Sequence, residues 1–317
     1  MNLVFFDIEC ASVFKYSAKI CAFGYVVCDE QFNILEKEDV LVNPKGKFHL
    51  TDNRGDRGIV LPYEYSEFKK YPPFTQVFPK IKALLEDRNN LVFGHATIND
   101  VKYLDLETNR FHLPPFNFSF SDSQLMYMTA MNDFSRQFGL EYITKDLNVE
   151  FTPHRAADDA YATMRVVEAL CKKYGCNCVE LENILKIKRG KIKNHRITKP
   201  TSQAQIAYIE QKEKAKKERA ARRNKFFVSL TRRKAAKTGR LHGKTFNFSR
   251  PLEEEIELSI PLVEGIYSCG GRYSYKLEEC SVYVCNEDDD TVRTRNARAN
   301  GSLEIITPEQ LKELFND

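Results

Sequence analysis

The sequence predicts an α/β protein in three parts: a mixed-sheet domain over residues 1–185, a basic and largely helical segment over 186–240, and a small α/β domain over 241–317. Three observations carry this expectation. Strand-type runs come first and then alternate with helical patterns, which is the order of a mixed sheet flanked by helices. Charge is segregated: the three parts carry net charges of −6, +17 and −7 within a total of +4. Globular β–α alternation then returns after Gly239. At 317 residues the chain has room for two hydrophobic cores.

The elements follow in order. Residues 2–8 (NLVFFDI) read as a buried strand ending in acids, and 20–28 (ICAFGYVVC) and 34–42 (ILEKEDVLV) as two further strands paired in a hairpin, the second ended by Asn43-Pro44. Residues 45–74 are polar, glycine-spotted and aromatic, the composition of a long surface excursion. An amphipathic helix over 75–87 precedes the short strand LVFGH, the helix NDVKYLDLE, and the strand FNFSFSD running into SQLMYMTAM. LEYITKDL is a short helix, and HRAADDAYAT opens a longer one with apolar positions Ala160, Met164, Val167 and Cys171 at helical spacing. From Lys186 the stretch KIKRGKIKNHRITKP reads as basic and irregular. Ser202 with Gln205 fits a capping box for the helix-rich run that follows. In the last part KTFNF, CSVYVC and LEII read as strands, while PLEEEIELSIPLVEG, RTRNARANG and TPEQLKELF read as helices, the pattern of a small parallel sheet.

Composition narrows the function classes. The apolar run before Asp7 is only four residues long, too short for a signal peptide or a membrane span, so no membrane role is expected. Nine scattered cysteines without a secretory signal predict reduced thiols in a cytoplasmic protein. The basic segment admits two readings of equal weight. One is a solvated linker helix. The other is an arm in which Lys212, Lys214, Lys216, Lys217, Arg219, Arg222, Arg223 and Lys225 contact nucleic-acid phosphates, each contact releasing counterions.

Three segments carry chemistry. Asp7 and Glu9 stand two apart on a strand, so both carboxylates leave the same face. Like charges so placed favour protonation of one or a cation between them, and hard oxygens suit Mg²⁺ or Mn²⁺. Asp100 opens a helix after a short buried strand, and a helix-dipole acid is the commoner reason for such a residue. His154 precedes Asp159 by five residues. At about 100° per residue, Asp159 lies nearer the inward stripe than Asp158, which points away. Ala156, Ala157 and Ala160 leave room for close approach to the strands.

Asp-x-Glu, an Asp about 90 residues on, and His-x4-Asp together resemble the DEDDh branch of the DnaQ-like 3′→5′ exonucleases, which have an RNase H-like fold. The resemblance spans residues 1 to about 175 and includes VLVNP, PPFTQVFPKIKALL, SDSQLMYM and LEYITKDLNV. It implies that Asp7, Glu9, Asp100 and Asp159 hold two Mg²⁺ or Mn²⁺ ions and that His154 is the general base. The expected activity is release of nucleoside 5′-monophosphates from single-stranded 3′ ends, DNA first; an RNA exonuclease with the same residues and a non-catalytic scaffold are the alternatives. Cys10-Ala11-Ser12 replace the family's Thr-Thr-Gly-like residues, and Ala96 and Asn99 replace the Asn and Phe of its second motif, departures that touch substrate packing.

The last 77 residues resemble a BRCT domain through LHGKTFNFSRPL, the pair Gly270-Gly271 and VRTRNARANGSLEIITPEQL. Such domains often bind phosphate through a Ser/Thr-Gly and a lysine. Here Ser249 matches, Arg250 replaces the glycine and Arg293 stands for the lysine, so Ser249 and Arg293 are the implied phosphate contacts. A module docking a protein or a DNA end is the equal alternative.

Overall fold

The computed structural model describes residues 1–49, 61, 63–150, 155–231 and 233–316, which form two units, Met1–Ile209 and Glu210–Asp317. In the first, β1 (Asn2–Phe14), β2 (Ser17–Cys28) and β3 (Ile34–Leu41) form an antiparallel meander, as the hairpin reading expects. On the other side of β1 lie β4 (Asn90–Gly94) and β5 (Asn117–Asp122), both parallel to it. The intervening helices are α1 (Phe74–Glu86) and α2 (Ile98–Arg110). After β5 come α3 (Ser123–Ala130), α4 (Leu140–Asp146), α5 (Ala156–Tyr174) and α6 (Cys178–Ile184).

Strand alternation divides β1 between two cores. Val4, Phe6 and Ile8 join Phe74, Phe78, Ile81, Val101 and Leu104 under α1 and α2. Leu3 and Phe5 face the other way, against Met164, Val167 and Leu170 of α5. Each large side chain so buried contributes roughly 1.5–3 kcal/mol, which fixes the register, because a one-residue slip would exchange the faces. Asp7 and Glu9 therefore emerge on the α5 face. Helix α5 ends at Gly175, whose left-handed φ of 63° lets its N–H reach back to the Lys172 carbonyl.

The basic stretch after Lys186 departs from its expectation. Instead of irregular linker, it forms β6 (Ile187–Lys188), β7 (Gly190–Lys193), β8 (Arg196–Thr198) and β9 (Thr201–Ser202). Strands β7 and β8 complete a seven-stranded sheet of order β3-β2-β1-β4-β5-β7-β8, and β6 pairs with β9. The alternation Gly190/Ile192 inward and Lys191/Lys193 outward is strand patterning hidden by the charge density, and the fully buried Ile192 anchors it in the core. The first unit thus runs through Ile209, beyond the boundary expected at 185.

Helix α7 (Gln203–Leu230) follows. The second unit is a parallel sheet of order β11-β10-β12-β13, from β10 (Thr245–Phe248), β11 (Arg272–Tyr273), β12 (Val282–Val284) and β13 (Glu304–Ile306). Its helices are α8 (Arg250–Glu254), α9 (Ile256–Ser268), α10 (Val292–Ala299) and α11 (Pro308–Asn316). The single helix expected from PLEEEIELSIPLVEG is broken at Glu255, whose ψ of 71° is not helical. Phe226 of α7 is fully buried in this unit's core with Phe246, Phe248 and Val263. No helix among the described residues is long and apolar enough to cross a membrane.

Candidate active site

The site forms where β1 meets the N-terminus of α5. Asp7 pairs in register with Gly24 of β2, and a Cβ on Gly24 would lie 1.9 Å from the Ala156 carbonyl carbon and 2.0 Å from the Ala157 nitrogen. Backbone therefore rests on backbone, which only glycine and small helix residues allow. Ala156, Ala157 and Ala160 are buried, as the close-approach argument expects. This contact brings Asp159 onto the two strand acids: one carboxylate oxygen each of Asp7, Glu9 and Asp159 lie within 4.8 Å of one another.

Asp158, the neighbouring acid, takes the other course. It is ion-paired with Lys37 of β3 at 2.6 Å, and the same ammonium lies 4.9 Å from the Tyr161 ring centroid. The helical phase that separates the two aspartates is thus realised as a structural pair on one side and a cluster of acids on the other.

Asp100 is buried in the first turn of α2. A tight turn carries it there: Ala96 has a φ of 49°, and the Ala96 and Thr97 N–H groups each donate at 3.1 Å to Asp122. Asp122 also caps α3 by accepting from Gln124 and Leu125, so one carboxylate fixes the entries of two helices. Its carboxyl is raised to about 6 by burial, which those backbone N–H groups oppose. His95 is satisfied within the fold: Nδ1 lies 3.0 Å from the Ser123 hydroxyl and Nε2 3.2 Å from the Phe138 carbonyl. Burial lowers its pKa to about 4.

Electrostatics join the four acids. Burial, then the Asp159, Glu9 and Asp39 carboxylates, hold Asp7 well above the usual carboxylate range. Glu9 is raised to about 7 by burial, then by Asp159 and Asp39. Asp100 is raised by burial, then by Asp7, Asp122 and Glu9. Converging half-buried carboxylates, of which Asp7 and Glu9 resist ionisation, fit a hard divalent cation, which brings positive charge to oxygen donors. His154, the implied base, lies outside the described residues.

Sequence reasoning missed Asp39. It stands in the same cross-strand row as Asp7, through Gly24 between them. It accepts from the Tyr63 hydroxyl, and Arg155, stacked 5.6 Å from the Tyr63 ring centroid, partly offsets its charge. Nothing in ILEKEDVLV distinguishes Asp39 from its acidic neighbours; only strand register does. Asp122 did carry a signal, the Asp-Ser-x that caps a helix directly after a strand.

A family model described as Exonuclease (RNase_T) matches residues 4–167, just over half of the chain. The chain belongs to the exonuclease family. The matched segment contains Asp7, Glu9, Asp100 and Asp159. No curated protein sequence matches the chain. Among solved structures, a full-length 3′-exonuclease is similar at 14% identity and a TM-score of 0.48, over 64% of this chain and 90% of that one. The nuclease domain of 3′hExo, a DEDDh family member bound to rAMP, is similar at 15% identity and a TM-score of 0.44, over 55% and 92%. Exonuclease I of E. coli in complex with a dA16 oligonucleotide is similar at 17% identity and a TM-score of 0.43, over 58% and 42%.

The remaining sequence-derived sites lie in the second unit. Along α7, Lys212, Lys214, Lys216, Lys217, Arg222 and Lys225 are exposed. Arg219 is 3.9 Å from Glu254, and Arg223 is ion-paired at 3.2 Å with the fully buried Glu253. Arg293 is also held by Glu253, at 2.8 Å, and donates to the Tyr275 carbonyl at 2.8 Å. Ser249 is buried and its hydroxyl serves Asp289. Ser249 and Arg293 thus both have partners within the fold.

Proposed function

We propose that this chain is a metal-dependent 3′→5′ exonuclease that hydrolyses the terminal phosphodiester of a single strand, DNA in preference to RNA, and releases nucleoside 5′-monophosphates. The observation that carries the reading is the convergence of Asp7, Glu9 and Asp159 within 4.8 Å, with Asp100 near enough to Asp7 and Glu9 for their charge to raise its carboxyl. When bound, two Mg²⁺ or Mn²⁺ ions lower the pKa of a water and neutralise charge developing on the phosphate and the leaving oxygen. Asp7 and Glu9 hold them from the strand, and Asp100 and Asp159 from the two helix entries. These carboxylates are pre-placed by β1, the Asp122-held turn and the Gly24–α5 contact, so little reorganisation remains at the moment of reaction. His154 takes the proton of the attacking water, which requires a neutral imidazole.

The exposed cations of α7 supply phosphate contacts in this reading, and the second unit is a BRCT-like module that docks a protein or a DNA end. The test is a paired digestion of matched DNA and RNA oligonucleotides, labelled at the 5′ end, with Mg²⁺, Mn²⁺ or EDTA. The reading expects a ladder shortening from the 3′ end of DNA, mononucleotide product and no turnover in EDTA. Shortening from the 5′ end, or turnover in EDTA, overturns it. Faster RNA digestion moves the substrate to RNA with the same residues in the same roles, since 2′-OH contacts decide that choice.

A further inference from the structure

The ribbon β7–β8 was expected as linker and is instead the outer edge of the sheet. Its turn is a two-residue hairpin, with φ of 49° at Asn194 and 62° at His195, both left-handed as a type I′ turn requires. Ile192 and Ile197 pair across it and pack inward on the core. His195 Nδ1 lies 2.8 Å from Asp105 Oδ1 of α2, which ties down the tip. The outward side chains are Lys191 opposite Thr198 and Lys193 opposite Arg196, beside Ser119 and Asn117 of β5. With Asn194 they border a shallow cavity of about 540 Å³. Among the described residues, no carboxylate is within ion-pair distance of Lys191, Lys193 or Arg196.

Register places this ribbon on the same face as the acids. Phe5 pairs with Phe93 and Phe93 with Ser121, so these three share a face. Alternation then puts Asp7 and Glu9 on that face of β1, and Asn117, Ser119, Lys191 and Lys193 on it at β5 and β7. Three strand spacings and four residues along the strand separate Lys191 from Asp7, about 20 Å in the plane of the sheet.

We propose that the outward face of β7–β8 is a second nucleic-acid contact, holding the phosphodiester backbone of the strand whose 3′ end lies at the acid cluster. Charge complementarity favours this occupant. The face offers three cations and several small hydrogen-bond donors, the groups that hold phosphates and position a strand. Among the described residues that border it there is no ring on which a base could stack and no apolar anchor of the kind protein interfaces centre on, so the contact is sequence-independent and is not a protein-docking face. The hairpin is fixed at its tip and root, so the cations are in place before the strand arrives. At about 3.4 Å per nucleotide, 20 Å is about six nucleotides from the cluster, fewer for a stretched strand.

The proposal rests on the exonuclease reading for the position of the 3′ end, and its test separates the two. Lys191→Gln/Lys193→Gln/Arg196→Gln is made in the full chain, and also in an Asp159→Asn background where binding is read without turnover. Fluorescence anisotropy with a 20-nucleotide DNA strand is expected to lose about 100-fold in affinity at 0.1 M salt, with the salt slope shallower by about 2 for three lost contacts. In the active chain, kcat/KM for the 20-mer falls by a similar factor relative to that for a 4-mer, which ends short of the ribbon. Melting temperature, measured alongside, stays within 1–2 °C because the three side chains are exposed, on the order expected for surface changes. Unchanged affinity and salt slope for the 20-mer overturn the ribbon contact whatever the activity. A wild-type chain that binds the 20-mer through these residues but never shortens it overturns the exonuclease reading and leaves the ribbon standing as a strand contact.

Discussion

Around Glu253 in the second unit, one buried carboxylate meets two guanidiniums and a phenol; around Asp7 in the first, one carboxylate meets three others. Glu253 is fully buried and accepts from Arg293 at 2.8 Å, Arg223 at 3.2 Å and Tyr273 at 3.0 Å. Asp7 is pressed by Asp159, Glu9 and Asp39, and neither Asp7 nor Glu9 has an ion-pair partner among the described residues. Both arrangements cost desolvation; at Glu253 two guanidiniums offset it, whereas at Asp7 the neighbouring carboxylates add to it. Acids that raise one another's pKa in this way are the mark of a functional site. The contrast separates a charge that serves the fold from charges that wait on a ligand, and substitution should move the two in opposite directions.

The largest effect is at the acid cluster. Asp159→Asn is expected to reduce nuclease turnover by at least about 10³-fold, since losing one carboxylate from a metal site forfeits several kcal/mol of transition-state stabilisation. Asp158→Asn, which removes only the Lys37 pair, is expected to leave turnover within about threefold of wild type. Initial rates of mononucleotide release decide the matter. Equal losses in the two variants would mean that the helix entry as a whole is being damaged and that Asp159 has no separate role.

Next comes the satisfied site. Glu253→Gln leaves the Arg223 and Arg293 guanidiniums facing a neutral amide and is expected to destabilise the second unit by about 3–5 kcal/mol. Limited proteolysis across residues 241–317, followed with temperature, measures it. A shift below about 1 kcal/mol would show that solvent replaces the carboxylate freely, and the contrast between the sites would collapse.

What could be read in the sequence follows the same division. Fold class, the β1–β3 meander, the parallel pair beyond it and the close α5 contact were legible, because periodicity and small residues express packing directly. Asp7, Glu9, Asp100 and Asp159 were singled out by the family resemblance that their order carries, each being weak alone, and Asp7, Glu9 and Asp159 converge in the structure. The β7–β8 ribbon was not legible: Gly190, Ile192 and Ile197, buried or half-buried, are interleaved with Lys191, Lys193 and Arg196, whose charge hid the strand period that core packing of the two isoleucines reveals. Nor was Asp39, whose approach to Asp7 depends on a three-strand register, or the partnership of Arg223 and Arg293 over Glu253, which joins residues 30 and 40 positions from it.

A smaller effect sharpens the contrast by its sign. Asp7→Asn removes a half-buried carboxylate from among three others, so in EDTA it is expected to raise the melting temperature of the first unit by about 2–4 °C, as for a gain near 1 kcal/mol. The same substitution should abolish most of the thermal stabilisation that wild type gains from Mg²⁺ or Mn²⁺. A loss of stability in EDTA would mean that Asp7 is held by the fold as Glu253 is.

The smallest effect is the pH dependence of that stability. Glu9 is raised from 4.5 to about 7, chiefly by burial and then by Asp159 and Asp39. A group that binds its proton more tightly when folded stabilises the fold fully below its unfolded pKa, and that contribution disappears as pH rises through the folded pKa. Without metal, wild type should therefore lose stability relative to Glu9→Gln between about pH 4.5 and 7.5, by a few degrees. Comparing the two chains cancels His95, whose lowered pKa acts in the opposite direction over part of this range. With Mg²⁺ or Mn²⁺ present, the difference should shrink or reverse above pH 7, because an ionised Glu9 then has a cation to hold. Parallel curves in EDTA would mean that Glu9 titrates as an ordinary surface acid, and its place in a shared buried cluster would be lost.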